Sequence, residues 1–207
     1  MTLRRATDVL ETDRLVLRRM RSADFDFFAH IQADPEVAQY IGHGRPRTLD
    51  ESLAWLNAIV LSYESGLGQL AVERKSDGVL VGRCGLSDLA IEIDAGSHTV
   101  PRCWWSRAEV PHDASVCFER ELGWTFGREY WGLGYASEAA RSVLAYAWEV
   151  LATPRIVSIV QQENLRSHRV AARLGAVKGP RVELMGKIMD VYSWTGGGLV
   201  TSAGAQG

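Results

Sequence analysis

"REYWGLGYASEAARSVLAYAW" runs from Arg128 to Trp148. Gly132 and Gly134 stand two apart among large aromatics, and a helical pattern starts at once. Ala136, Ala139, Ala140, Val143, Leu144 and Ala147 fall on one face of a helix expected over 137–151. The first N–H groups of any helix lack internal partners and lie at the positive end of its dipole. Glycines remove the side chains that would keep a ligand from them. The turn therefore reads as a cradle for a phosphate or pyrophosphate, with the Ser137 hydroxyl beside it. A Walker A loop is excluded, because no Gly-Lys-Ser/Thr follows. A dinucleotide fingerprint is excluded as well: Ser137 stands where a third glycine belongs, and residues 153–158 carry no acidic group. A tight helix–strand packing turn without a ligand fits the same residues.

Outward from this turn, "VCFERELGWTF" reads as the preceding strand and "RIVSIVQ" as the following one, a crossover unit over about 116–160. A second helix is expected over 164–174, and "GAVKGPRVELMGKIMDVYSW" reads as two closing strands. Before the unit, "DRLVLRRM" alternates as a first strand. Phe25, Phe28 and Ile31 mark a helix after Ser22, and Thr48-Leu-Asp-Glu51 is a capping-box start for another. That helix places Leu53, Leu56, Ile59 and Val60 along one face. "GQLAVERKSDGVLVGRCGL" is a hairpin around Ser76-Asp77-Gly78. Segment 87–115 is irregular, with Trp104-Trp105, Pro101, Pro111, His98 and His112. The pattern is that of a mixed α/β (α+β) sheet covered by helices. One domain is expected over 1–194 with an insertion at 87–115. The Gly/Ser/Ala-rich residues 195–207 read as a flexible tail.

The 207 residues are 46% hydrophobic and 23% charged, with a formal net charge of -2. Such near-neutrality gives no reason to expect nucleic acid or an anionic membrane as partner. No stretch approaches the ~20 apolar residues of a membrane span. The N-terminus lacks the continuous apolar segment of a signal peptide, so a cytoplasmic location is expected. Cys84, Cys103 and Cys117 are odd in number and lack metal-ligand spacing; they read as reduced thiols. His98 and His112 fit no tetrahedral site, and no metal is expected.

"ELGWTFGREYWGLGYASEAARSVLAYAW" followed by "VQQENLRSHRVAARLGAV" resembles the GNAT superfamily of acyl-CoA N-acyltransferases. The opening "LETDRLVLRRMRSADFDFFAHIQADPEVAQYIG" is similar to that of its Rim-type branch, the ribosomal-protein N-terminal acetyltransferases. The resemblance implies a twisted, mostly antiparallel sheet of about seven strands flanked by helices. It implies acetyl-CoA as co-substrate and an amine, either a protein N-terminus or a small molecule, as acceptor. The family's pyrophosphate motif falls on Trp131 to Ala136, so Gly132, Leu133, Gly134, Tyr135, Ala136 and Ser137 would cradle the pyrophosphate. Trp131 departs from the family's Gln or Arg. The strand before the motif would splay and pair with the pantetheine through Trp124, Thr125 and Phe126. Asn164 and Ser167 match the Asn-x-x-Ser motif beside the pantetheine and the sulfur. Homodimers occur in the superfamily.

Acetyl transfer to an amine needs a proton acceptor, an oxyanion partner and a proton for the leaving thiolate. Glu121, on the strand before the cradle, is the candidate base, and Glu119, two residues back on the same face, is its rival. An N–H near Thr125 would meet the oxyanion. Some members use a tyrosine three residues before the Leu-Gly pair; Ala171 stands there, which leaves the Ser167 hydroxyl as the acid. The tryptophans of the insertion would either wall the acceptor cleft or extend the core. Glu92, Asp94, Glu109 and Asp113 would favour a cationic acceptor. A non-catalytic acyl-CoA-binding module is the alternative reading.

Overall fold

The computed structural model describes residues 9–63 and 68–196. Residues 1–8 of the N-terminus and the tail from 197 lie outside them. One sheet organises the chain. Its strands are β1 (Val9–Glu11), β2 (Leu15–Arg19), β3 (Gly68–Arg74), β4 (Leu80–Glu92), β5 (Cys103–Trp104), β6 (Val116–Phe126), β7 (Arg155–Gln161), β8 (Val177–Leu184) and β9 (Lys187–Thr195). Their order is β1-β2-β3-β4-β6-β7-β9-β8, with β5 paired to β4. Named strands pair antiparallel except β6 and β7, which run parallel, as a crossover requires.

The sheet therefore has nine strands, not about seven. The two unforeseen strands, β1 and β5, span three and two residues, too few to show alternation. The irregular segment is also shorter than expected. Ser87 to Glu92 continue β4 and pair with β6 from Glu121 to Val116, so the insertion begins at Ile93. At the other end Thr195 still belongs to β9.

Helix α4 (Tyr135–Glu149) lies on one face of the sheet. Ala139, Ala140, Val143, Leu144 and Ala147 pack there on Leu15, Leu17, Val81, Leu122 and Ile156. The small alanines let the helix approach the sheet closely. Helix α5 (Leu165–Arg173) adds Ala171 to the same core. On the opposite face, α1 (Phe25–Ala33) and α3 (Leu49–Ser62) cover Met20 and Ala71 with Phe28, Ile31 and Leu56. The short α2 (Pro35–Ala38) follows α1. Helix α3 starts on the expected capping box, Thr48 Oγ1 accepting from Glu51 N and Glu51 Oε2 from Thr48 N. Its expected face is narrower than read: Leu56 is buried, whereas Leu53 and Val60 stay exposed. Cys84 and Cys103 are buried free thiols, and burial pushes both up to about 12. Cys117 is exposed and also free.

Candidate active site

The site begins where the sheet fails to close. β6 pairs with β4 along eleven residues, from Gly82↔Phe126 to Glu92↔Val116. On its other edge it pairs with β7 only at Arg120↔Ile156 and Glu121↔Val157. Beyond Glu121 the two parallel strands diverge. A cavity of about 1040 Å³ opens there, lined by β6 from Glu121 to Phe126 and by β7 from Ser158 to Gln161. Ser158 Oγ donates to the Leu122 carbonyl across the start of the gap. Leu122 thus turns its backbone toward β7, and alternation turns Trp124 the same way. Gly123 and Thr125 turn toward β4, as does Gly127, whose N–H donates to Val81 O. The Trp124 N–H and C=O are left without a ladder partner. Of the amides near Thr125, it is that of Trp124 that faces the gap.

The glycine turn closes one end of the cavity. Gly132 and Gly134 both hold left-handed backbone, with φ of +78° and +84°. A Cβ at Gly132 would meet nothing within 4 Å, so the backbone conformation, not crowding, requires glycine. Gly134 is the N-cap of α4, and no side chain caps that helix. The N–H groups of Tyr135, Ala136 and Ser137 therefore lack intrahelical acceptors, and all three residues line the cavity together with Gly132 and Gly134. Leu133 does not line it: its side chain is exposed and its carbonyl accepts from Arg14 Nη1 at 3.1 Å. Trp131 holds the turn against β6, its Nε1 donating to Phe126 O at 2.9 Å.

Helix α5 forms a further wall. Asn164 is its N-cap, with Oδ1 accepting from Ser167 N at 3.1 Å. Its Nδ2 has no protein partner among the described residues. Asn164 and Ser167 line the cavity, and so do Arg166, Arg169 and Arg173. The Arg166 guanidinium lies over the Trp131 ring, 4.3 Å from its centroid.

Glu121 sits on the floor, 6% exposed. Its carboxylate accepts from Trp105 Nε1 at 2.6 Å and from Ser87 Oγ at 3.2 Å. Burial raises its pKa to about 7, against the opposing pull of those donors, the Arg83 charge and the Ile159 N–H. Glu119 differs. It is ion-paired to Arg155 and does not line the cavity. Both carboxylates face one side of β6, but only Glu121 lies beside the gap. The two tryptophans also part ways. Trp105 lines the cavity and binds Glu121, whereas the Trp104 ring lies under Arg102 at 5.3 Å. Among the described residues no group of three or more His, Cys, Asp or Glu side chains is placed to hold a metal ion. No described helix is long and apolar enough to cross a membrane.

The sequence profile of the acetyltransferase (GNAT) domain matches residues 14–177. The chain belongs to the GNAT acetyltransferase family. Membership makes it an acyl-CoA-dependent acetyltransferase. Its sequence is 26% identical over 193 residues to an uncharacterized N-acetyltransferase, p20, of Bacillus licheniformis, covering 91% of this chain and 95% of that one. A crystal structure of an acetyltransferase from Agrobacterium tumefaciens superposes with a TM-score of 0.68 at 25% identity, covering 94% of this chain and 98% of its own. The RimL alpha-N-protein acetyltransferase of a ribosomal protein, solved with coenzyme A, shares the fold with a TM-score of 0.67 at 11% identity. That overlap covers 90% of this chain and 97% of RimL.

In this acetyltransferase the fold gathers Glu121, Trp124, Thr125, Phe126, Gly132, Gly134, Tyr135, Ala136, Ser137, Asn164 and Ser167 around one cavity. Sequence reasoning missed Trp105's bond to Glu121, which joins positions sixteen residues apart across an irregular loop. It also missed the arginines of α5. Their signal was present: 166, 169 and 173 repeat at helical spacing behind the Asn164 cap.

Proposed function

We propose that this acetyltransferase moves an acetyl group from acetyl-CoA to a primary amine by direct attack in a ternary complex. One observation carries the reading. A buried carboxyl with a pKa near neutrality shares a cavity with an uncapped, glycine-opened helix N-terminus. The α4 N–H groups and the α5 arginines would hold the pyrophosphate and neighbouring phosphate of the co-substrate. The open space at Gly132 and the absence of a capping side chain fit such a ligand. The unpaired edge of β6 would bind the pantetheine as a surrogate strand, with Asn164 Nδ2 beside it.

Glu121 would take the proton of the acceptor ammonium, for which a pKa near 7 is well matched. The neutral amine then attacks the thioester carbon, forming the N–C bond. The Trp124 N–H, next to Thr125, would stabilise the oxyanion. Collapse breaks the C–S bond; the Ser167 hydroxyl would pass its proton to the departing thiolate and be reprotonated by the proton that the new amide nitrogen sheds. No protein nucleophile is needed. Three free thiols support a reducing compartment, for which the cytoplasm is our assignment.

The test is calorimetric titration with acetyl-CoA, followed by thiol-release assays on a panel of primary amines. We expect one-to-one binding of acetyl-CoA and thiol release that depends on the amine. Binding without any amine-dependent release would reduce the protein to an acyl-CoA-binding module. No binding would remove the pyrophosphate assignment altogether.

A further inference from the structure

The acceptor end of the cavity carries two cations that no carboxylate of the described residues contacts directly. Arg83 on β4 and Arg47 before α3 both line it, and both lie near the Trp55 ring. The Arg83 and Arg47 guanidinium carbons lie 5.4 and 5.8 Å from the centroid of that ring. Neither forms an ion pair among the described residues. Arg83 makes a single hydrogen bond there, Nη1 to Gln69 Oε1 at 2.7 Å, which leaves most of a five-donor fork unused. Burial and the Arg47 charge lower its pKa to about 10 against the pull of Glu121, and burial lowers that of Arg47 against the pull of Glu51. Two partly buried like charges facing one space are costly unless something negative comes between them.

The base and the cation are spaced along β6. A Cβ placed on Gly123 would lie 3.8 Å from Arg83 Nη1. Gly123 is two residues beyond Glu121 on the same face of the strand, about 7 Å away. The strand from Glu121 to Gly123, with the Gln69 amide over the glycine, thus has a proton acceptor at one end and a guanidinium fork at the other. Of the other carboxylates that line the cavity, Glu36 and Glu109 are exposed, and Asp88 is already paired with Arg120. Of the residues thought from sequence to draw a cationic acceptor, Glu92 is neutralised by Arg102 at 2.6 Å.

We infer that the acceptor is an α-amino acid: its amine is bound at Glu121 and its carboxylate at the Arg83–Arg47 pair. The inference rests on the amine acetylation proposed above and names its substrate class. A peptide with an acidic side chain near its N-terminus offers the same two groups and is a separate arm of the test.

The experiment measures kcat/KM by thiol release from acetyl-CoA for each standard L-amino acid, its amide and its decarboxylated amine. Short peptides carrying Asp or Glu in second position form the fourth arm. At least one free amino acid should exceed its amide and amine roughly tenfold or more, the scale of a charge-assisted hydrogen bond. In Arg83→Met that ratio should fall toward one, and in Arg47→Gln it should fall part of the way. Acetyl-CoA titration checks that each variant is folded; the wild-type comparison needs no variant. Amines that match or exceed their amino acids throughout would overturn the inference, as would peptides preferred over every free amino acid, or a ratio unchanged in both variants. If acetyl-CoA binds but no amine of any arm releases thiol, it is the amine-acetylation reading that fails.

Discussion

The two edges of β6 are built from the same eleven residues and behave as opposites. The edge toward β4 is fully laddered, with eleven residue pairs. The edge toward β7 keeps two pairs and then opens. The closed edge holds Leu122 and Phe126 in register over the alanine face of α4. The open edge leaves Trp124 backbone groups, the start of α4 and one buried carboxyl facing a common space. Laddered backbone and open cavity are thus divided across a single strand. Unsatisfied backbone is tolerated only where a ligand or water can reach it.

The sharpest way to break this contrast is to disable the carboxyl. Glu121→Gln should lower kcat about 10²- to 10⁴-fold while acetyl-CoA affinity, read by calorimetry, stays near wild type. In the wild type, kcat should climb with pH through about 7 as Glu121 ionises, and that limb should vanish in the variant. Stability should move the other way. Glu121 holds its proton more tightly when folded than unfolded, so its burial weakens the fold progressively as pH rises from about 4.5 to about 7. Above that range Glu121→Gln should gain stability, on the order of 1–3 kcal/mol, and melt higher than wild type at pH 8.

Gly134→Val should weaken acetyl-CoA binding roughly tenfold or more, because a β-branched residue at φ +84° is strained and would shift the cradle. Calorimetry against wild type reads the loss; unaltered affinity would separate the glycine turn from the ligand. Hydrogen exchange tests the two edges without mutation. The Gly123 and Thr125 amides should be protected in the free protein, and the Trp124 amide should gain protection only when acetyl-CoA is added. Equal protection of all three at the outset would mean that the gap is closed in solution. The smallest effect is expected at the rival carboxylate. Glu119→Gln should change kcat by less than about twofold, since its partner is a half-exposed Arg155 outside the cavity.

The strands β6 and β7 were legible to the residue, because β7 is a short β-branched apolar run and β6 alternates from Leu122 to Phe126. The α4 start was legible from its glycines, and α3 from its capping box. β1 and β5 were not, being too short for any pattern, and Ser87 to Glu92 were hidden by their irregular sequel. The site divided along similar lines. Motif positions such as Gly134, Asn164 and Ser167 are local in the chain, so their spacing carried them to the cavity.

By itself, then, the sequence determined the sheet-and-helix class, the glycine-opened helix and the two carboxylates that compete for the role of base. The tertiary structure alone told those carboxylates apart, by giving Glu119 an arginine and Glu121 a buried place beside a tryptophan N–H. It alone turned Trp124 rather than Thr125 to the gap, and set Arg83 and Arg47 around one indole. The physical reason is the range of the forces involved. Periodicity, capping and backbone conformation are fixed within a few residues, whereas burial and charge pairing depend on which distant segments the fold brings within a few ångströms.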